Sequence, residues 1–332
     1  MENKPFVFGV ATSGDNFTDR KKETARLLSN FRHGVNTVLI SPRRWGKTSL
    51  VRKVCRLAQS DTLKVVYLDI FSCRSEREFY DAFASAVLKQ TSSKLEEWME
   101  NARLFLSRIS PKISLGTEPM TDFSISLELN PKADDVDDIL QLPEKIAQKK
   151  GIDVVVCIDE FQQITEYPEQ NMEALLRTYI QQLKNIRFIF SGSQRAMMLE
   201  IFSNANRPFF ASTQYLAIEK IQQDVYATFI TDLFERYGKQ IDPNCVAEIL
   251  NWSRRHTFYT QSLCNRIFAM GTSHVTTEQV KWACSDLLER NEPVFLQYRQ
   301  LLTPIQWNFL IAIAKEHEVK QISAQHFISK YG

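Results

Sequence analysis

Five short runs of apolar, largely β-branched residues punctuate the first two thirds of the chain, at residues 35–40, 64–70, 153–158, 186–190 and 214–218. Each reads as a buried strand. Between them, apolar residues recur at helical spacing: Leu50, Val51, Val54, Leu57 and Ala58 after the first run, then Phe79, Tyr80, Phe83, Val87 and Leu88, then Met172, Leu175, Leu176, Tyr179, Ile180 and Leu183. Strands alternating with helices predict a parallel sheet covered by helices, an α/β fold. Upstream, Ala25, Leu27, Leu28 and Phe31 give an amphipathic helix with Thr18 or Asp19 as its cap. Residues 91–150 break the rhythm. Leu95, Trp98, Met99, Ala102, Leu104, Phe105 and Leu106 predict a helix, residues 112–116 and 123–129 the two strands of a hairpin, and Leu140, Leu142, Ile146 and Ala147 a short helix.

From Ile221 the texture is helical, with helices expected over 223–237, 243–252, 257–270 and 277–290 and no strand pattern between them. In the tail, Pro304 behind Thr303 opens a helix through Ala314, and 322–328 is a second. Two such helices cannot bury a core alone. They read as the front half of a winged helix whose recognition helix and wing are missing. The expected organisation is a sheet domain over 1–218, a helical domain over 219–292, and an incomplete winged helix over 293–332.

The chemistry concentrates at strand ends. Ser41-Pro42-Arg43-Arg44-Trp45-Gly46-Lys47-Thr48-Ser49 follows the first strand and opens the helix after it. It fits G-x-x-x-x-G-K-[ST], except that Ser41 replaces the first glycine. Backbone N–H groups of such a loop converge on a β-phosphate, and the helix N-terminus adds partial positive charge. Gly46 admits close approach, Lys47 is placed for the β- and γ-phosphates as a charge rather than a core residue, and the Thr48 hydroxyl suits Mg²⁺. Arg43, Arg44, Trp45 and Ser49 complete the nucleotide-binding stretch. The third strand ends in Asp159-Glu160. Adjacent carboxylates there are costly without partners; Asp159 can hold the Mg²⁺ shell opposite Thr48, and Glu160 can polarise a water. The fourth strand ends in Ser191-Gly192-Ser193-Gln194, where Ser193 or its polar neighbours can sense a γ-phosphate. Arg254, Arg255 and His256 precede the third helix of the helical domain, where a cation such as His256 can reach back to the nucleotide.

Composition narrows this little. Hydrophobic residues make up 44% and charged residues 24%, and the net charge is +2. The distribution matters more: between residues 20 and 56 there are eleven Lys or Arg (20, 21, 22, 26, 32, 43, 44, 47, 52, 53, 56) against the single acid Glu23, which suits a polyphosphate. The six cysteines form no C-x-x-C pair, and no apolar run is long enough to span a bilayer. A reduced, cytoplasmic protein is expected, with no membrane partner. The acidic run 134–138 lacks the glycine and distal glutamate of a calcium loop and reads as a solvated helix start.

Phe17-Thr18-Asp19-Arg20, the 41–49 loop, Ile158-Asp159-Glu160-Phe161-Gln162, Phe190-Ser191-Gly192-Ser193 and the Thr303-Pro304 start together resemble the archaeal-type ATPase family of the STAND/AAA+ P-loop group. The resemblance covers most of the chain. It implies an AAA+/ASCE-type sheet, an ATP and Mg²⁺ site, a helical lid and a nucleotide-dependent switch, with Arg20 among the nucleotide-binding residues. It also relates the chain to replication-initiator ATPases, so DNA is expected as a partner only through an extended C-terminal winged helix. A protein partner, a homo-oligomer and a non-hydrolysing scaffold stay open. Where the family often has Gly-His-Pro at the lid helix, this chain has Arg255-His256-Thr257. An arginine acting on a neighbouring subunit has Arg195 and Arg207 as candidates.

Overall fold

The structure, a computed structural model, describes residues 5–106, 111–115, 123–127, 133–169, 171–316, 319 and 321–331. After helix α1 (Lys21–Arg32), strand β1 (Thr37–Ile40) runs into the loop that opens α2 (Lys47–Ala58). Then come β2 (Leu63–Asp69), α3 (Glu76–Thr91), α4 (Leu95–Phe105), the antiparallel hairpin β3 (Pro111–Leu115) and β4 (Phe123–Leu127), α5 (Ala133–Leu140) and α6 (Leu142–Lys150). The chain returns through β5 (Asp153–Asp159), α7 (Met172–Gln182), β6 (Ile186–Gly192), α8 (Arg195–Ser203) and β7 (Gln214–Ala217). Gly116, Glu128 and Leu129, which the pattern adds to the hairpin strands, lie outside the described residues. The acidic run opens α5.

The main sheet is parallel throughout, in the order β2-β5-β6-β1-β7. This is a P-loop ATPase sheet of the ASCE type, because β6 is inserted between the loop strand β1 and the acidic strand β5. The insertion sets Asp159 roughly 10 Å sideways from β1, two strand spacings away. Side chains at the start of α2, Lys47 and Thr48, cross that gap.

On one face of the sheet Leu39, Val155 and Cys157 pack against Leu27 of α1 and Leu50 and Val54 of α2. The other face holds a ring cluster in which Phe161 lies 4.6 Å from Phe190, 5.6 Å from Phe202 and 5.5 Å from Phe209. Burying a ring of this size stabilises the fold by about 2 kcal/mol. Phe161 thereby anchors the turn that presents Glu160.

Beyond the sheet, α9 (Gln223–Arg236), α10 (Pro243–Trp252), α11 (Thr257–Phe268) and α12 (Thr277–Leu301) form the helical unit. Two features depart from the pattern reading. A two-residue parallel ladder, β8 (Gln240–Ile241) with β9 (His274–Val275), ties the helices together. Helix α12 also does not stop near residue 290 but runs through Pro293 to Leu301. Proline there removes one intrahelical bond, that to the Glu289 carbonyl; Glu289 is exposed, so water can serve it. Phe6 packs with the helical unit: it is fully buried in that core, 4.8 Å from the Phe234 ring.

In the winged-helix region, α13 (Pro304–Lys315) carries the capping box of Thr303 and Gln306, and α14 (Gln325–Tyr331) buries Phe327 against Phe309 and Tyr331. No described helix is long and apolar enough to cross a membrane.

Candidate nucleotide site

A cleft of about 720 Å³ opens at the carboxyl ends of β1, β2, β5 and β6, between the sheet and the helical unit. That volume suits a nucleotide-sized ligand. One end is the 41–49 loop. Arg44 and Gly46 both take left-handed backbone, at φ 65° and 89°, on either side of Trp45. This alternation turns successive N–H groups to one side, the anion-binding nest of phosphate sites. A Cβ on Gly46 would meet no atom within 4 Å, so glycine is required there by its φ and not by crowding. Ser41 is fully buried and has no positive φ, which explains why its place needs no glycine.

Lys47 spans the gap left by β6. Its ammonium pairs with Asp159 Oδ1 and lies 3.3 Å from Glu160 Oε1. The Thr48 hydroxyl donates to Asp159 Oδ2 at 3.3 Å, and the Tyr67 hydroxyl to the same oxygen at 2.8 Å. Burial opposes ionisation of Asp159, but the Lys47 charge and hydrogen bonds, those from Lys47 and Tyr67 among them, outweigh it and hold the carboxyl below its ordinary range. Glu160 follows the same logic, with burial overcome by Lys47, Gln162 and Ser193. Its Oε2 accepts from Gln162 at 2.5 Å and from the Ser193 hydroxyl at 2.8 Å, and Arg43 donates to that hydroxyl at 3.4 Å. Glu160 has φ 55°, a strained backbone for a side chain with a Cβ, costing about 1–3 kcal/mol and held by the buried Phe161 beside it.

Of the residues expected from sequence, Arg20, Arg43, Arg44, Trp45, Gly46, Lys47, Thr48, Ser49, Glu160 and Ser193 line this one cleft, and Asp159 lies behind Lys47. Two have occupations that motif spacing does not reveal. Ser49 Oγ accepts from the Thr12 N–H at 2.9 Å. Arg20 is 4% exposed and donates to the Glu219 carbonyl at 2.7 Å and to Glu23 at 3.1 Å. The expected caps of α1 are absent: Asp19 and Arg20 both have positive φ, and no side chain caps the helix.

His256 does not line the cleft. It stacks edge-on against Trp45, 5.9 Å between centroids, and burial lowers its pKa, with Arg44 and Lys220 adding to the effect. The helical unit instead presents Thr257, Phe258 and Gln261, with the Arg44 guanidinium 4.3 Å over the Phe258 ring. Arg254 and Arg255 have φ 51° and 57°, so Arg255 occupies a left-handed turn where the family glycine is at ease. Arg207 is bound in its own chain to Glu173 at 3.2 Å, whereas Arg195 is exposed. Tyr67 and Asp69 escape motif reading. Strand alternation does put Tyr67 on the face of Asp69, which lines the cleft with its carboxyl pushed up by burial and by the charges of Asp159 and Glu160.

The residues fit Mg²⁺-nucleotide: a basic nest at one end, a hydroxyl and a carboxylate as hard oxygen donors within 3.3 Å of each other, and apolar walls at the other end. A family described as an ATPase domain predominantly from Archaea matches residues 17–253, and a probable winged helix domain matches residues 293–332. The chain belongs to this archaeal ATPase family. In structure it is similar to the Walker-type ATPase PABY2304 of Pyrococcus abyssi, at 18% identity and a TM-score of 0.63, with 93% of this chain and 83% of that one covered. It is also similar to the Aeropyrum pernix ORC2 protein in ADPNP–ADP complexes, at 15% identity and a TM-score of 0.56, covering 84% and 70% of the two chains. The third is the Aeropyrum pernix ORC1 protein in complex with DNA, at 16% identity and a TM-score of 0.53, covering 96% and 78%. At these identities the likeness is one of fold. No curated protein matches the chain.

Proposed function

We propose that the chain binds Mg²⁺-ATP in this cleft, hydrolyses it slowly, and works as a nucleotide-controlled switch in which the helical unit (219–292) moves against the sheet domain (1–218). The observation that carries this reading is the meeting of Lys47, Thr48, Asp159 and Glu160 at one end of the cleft. Lys47 would exchange its carboxylate partners for the β- and γ-phosphates. Thr48 and Asp159 would hold Mg²⁺, which when bound neutralises charge on the phosphate oxygens. Glu160, kept ionised, would orient the attacking water and take its proton. Ser193 steadies Glu160 and, through Arg43, couples it to the phosphate loop. Phe258 and the Val7 and Phe8 strap would enclose the base. The test is phosphate release from ATP with and without Mg²⁺: release that needs Mg²⁺ and disappears in Lys47→Ala supports an ATPase, while tight ATP binding without release makes the protein a nucleotide-holding scaffold.

A second reading, an initiator-like DNA-binding ATPase, is favoured by one observation, the winged-helix match over 293–332. Nucleotide-dependent, sequence-selective duplex binding would promote it.

A further inference from the structure

Strand β2 is an edge of the main sheet, paired only with β5, and Tyr67 lies opposite Cys157 in that register. An edge strand leaves backbone groups unpaired on its open side. At Tyr67 one side chain takes both: the Tyr67 N–H donates to Gln90 Oε1 at 2.8 Å, and Gln90 Nε2 donates to the Tyr67 carbonyl at 2.9 Å. Gln90 belongs to the last turn of α3, just before the 91–150 excursion. The clasp fixes the backbone from which the phenol projects. The ring packs among the apolar residues under α2, and its hydroxyl reaches Asp159 Oδ2 at 2.8 Å. Burial, then the charge of Asp159, raises the phenol far above its ordinary value, so it remains a donor.

We infer that Tyr67, held by Gln90, is a positioning residue that fixes the Asp159 carboxylate for a divalent cation and so sets the metal affinity of the nucleotide site. The inference rests on the reading of Asp159 as the magnesium carboxylate. A carboxylate turns easily about its terminal torsion. Lys47 engages Oδ1, and the Thr48 hydroxyl reaches Oδ2 only at 3.3 Å. Tyr67 therefore makes the one short contact to Oδ2 among these groups, and it is tied to a different element from the phosphate loop. Lys47 and Thr48 are the groups that would turn to nucleotide and metal, whereas Tyr67 is free of either task. With the Glu160 N–H, which donates to Oδ1 at 3.0 Å, it would keep Asp159 oriented while Lys47 and Thr48 leave. Partners that orient a metal ligand typically change metal affinity by about ten- to a hundredfold when removed.

The test uses Mn²⁺ as the probe, followed by electron paramagnetic resonance in the full chain with saturating ADP, alongside calorimetry of ADP binding in chelator. Tyr67→Phe is expected to weaken Mn²⁺ binding about tenfold while metal-free ADP affinity is unchanged, and Gln90→Leu to shift Mn²⁺ affinity in the same direction by less. Far-ultraviolet circular dichroism checks folding; should Tyr67→Phe fail to fold, Gln90→Leu, which leaves the hydroxyl in place, decides. Unchanged Mn²⁺ affinity in a folded variant overturns the inference, as does an equal loss of metal-free ADP affinity, which would make Tyr67 a packing residue. Wild-type protein that binds ADP but no Mn²⁺ overturns instead the magnesium reading on which the inference stands, and ADP binding to neither form overturns the nucleotide site itself.

Discussion

Lys47 and Asp159, 112 positions apart, form a buried ion pair, with 6% and 2% of their surfaces exposed. The proposed phosphate contact draws on the same ammonium. Nucleotide affinity is then a difference between two attractive partners for Lys47, and the lysine serves the fold as well as the ligand.

Lys47→Ala should abolish ATP binding, as expected for a charge aimed at phosphate. It should also destabilise the protein by roughly 3 kcal/mol, because two acids lose their buried cation. This corrects the sequence expectation that Lys47 lies outside the core. Calorimetry and urea unfolding measure the two effects separately; wild-type stability in the variant would show that the pair is energetically idle.

Glu160→Gln should keep Mg²⁺-ATP bound and lose about two to four orders of magnitude of turnover, the usual loss with a general base. Single-turnover phosphate release gives the number. Unchanged release would remove Glu160 from the chemistry.

Acid stability should depend on the same lysine. Asp159 and Glu160 have lowered pKa values in the fold, so as pH falls the unfolded chain takes up protons first, near pH 4. The unfolded state then binds more protons than the native state, and stability falls with pH. The contribution is complete above the unfolded values and gone once pH passes below the folded ones. In Lys47→Met burial is no longer opposed, so the stability gap between wild type and variant should narrow from pH 6 to pH 3. Urea midpoints across that range test the sign; a constant gap would contradict it.

Gly192→Ala should disturb the site through packing. A Cβ there would lie 2.4 Å from Met198 Sδ and 2.5 Å from Gln162 Oε1, and Gln162 is the 2.5 Å partner of Glu160. Overpacking of this kind costs about 1–3 kcal/mol. Turnover should drop while ADP affinity holds, since the phosphate loop is untouched; steady-state kinetics with calorimetry distinguishes this from general damage.

Duplex DNA should bind weakly to this chain, without sequence preference, and with affinity falling steeply with salt. Several cations of the 20–56 excess are engaged within the fold: Arg20 on Glu23 and Glu219, Arg43 on Ser193, Arg44 on Phe258, Lys47 on the acids and Lys53 on Phe17. Fluorescence anisotropy at two salt concentrations decides; tight, salt-resistant, selective binding would favour the initiator-like reading.

The chain's own pattern determined the strands of the main sheet, and it marked the 41–49 loop and the Asp159-Glu160 pair as the candidate site. These are local signals: β-branched runs, a glycine before a lysine, carboxylates at a strand end. The same signals predicted α11 close to its observed start, because helix periodicity needs no partner. Tertiary structure decided what depends on distant contacts. His256 was drawn to Trp45 and away from the cleft, while Phe258, two residues on, took the place facing Arg44. Phe6 left its sequence neighbours for the helical core. Tyr67 reads as one more strand residue, since its partners Gln90 and Asp159 lie 23 and 92 positions away. Spacing along a chain reports which residues share a face, but the strand order β2-β5-β6-β1-β7, set by packing of the whole sheet, fixes which faces meet.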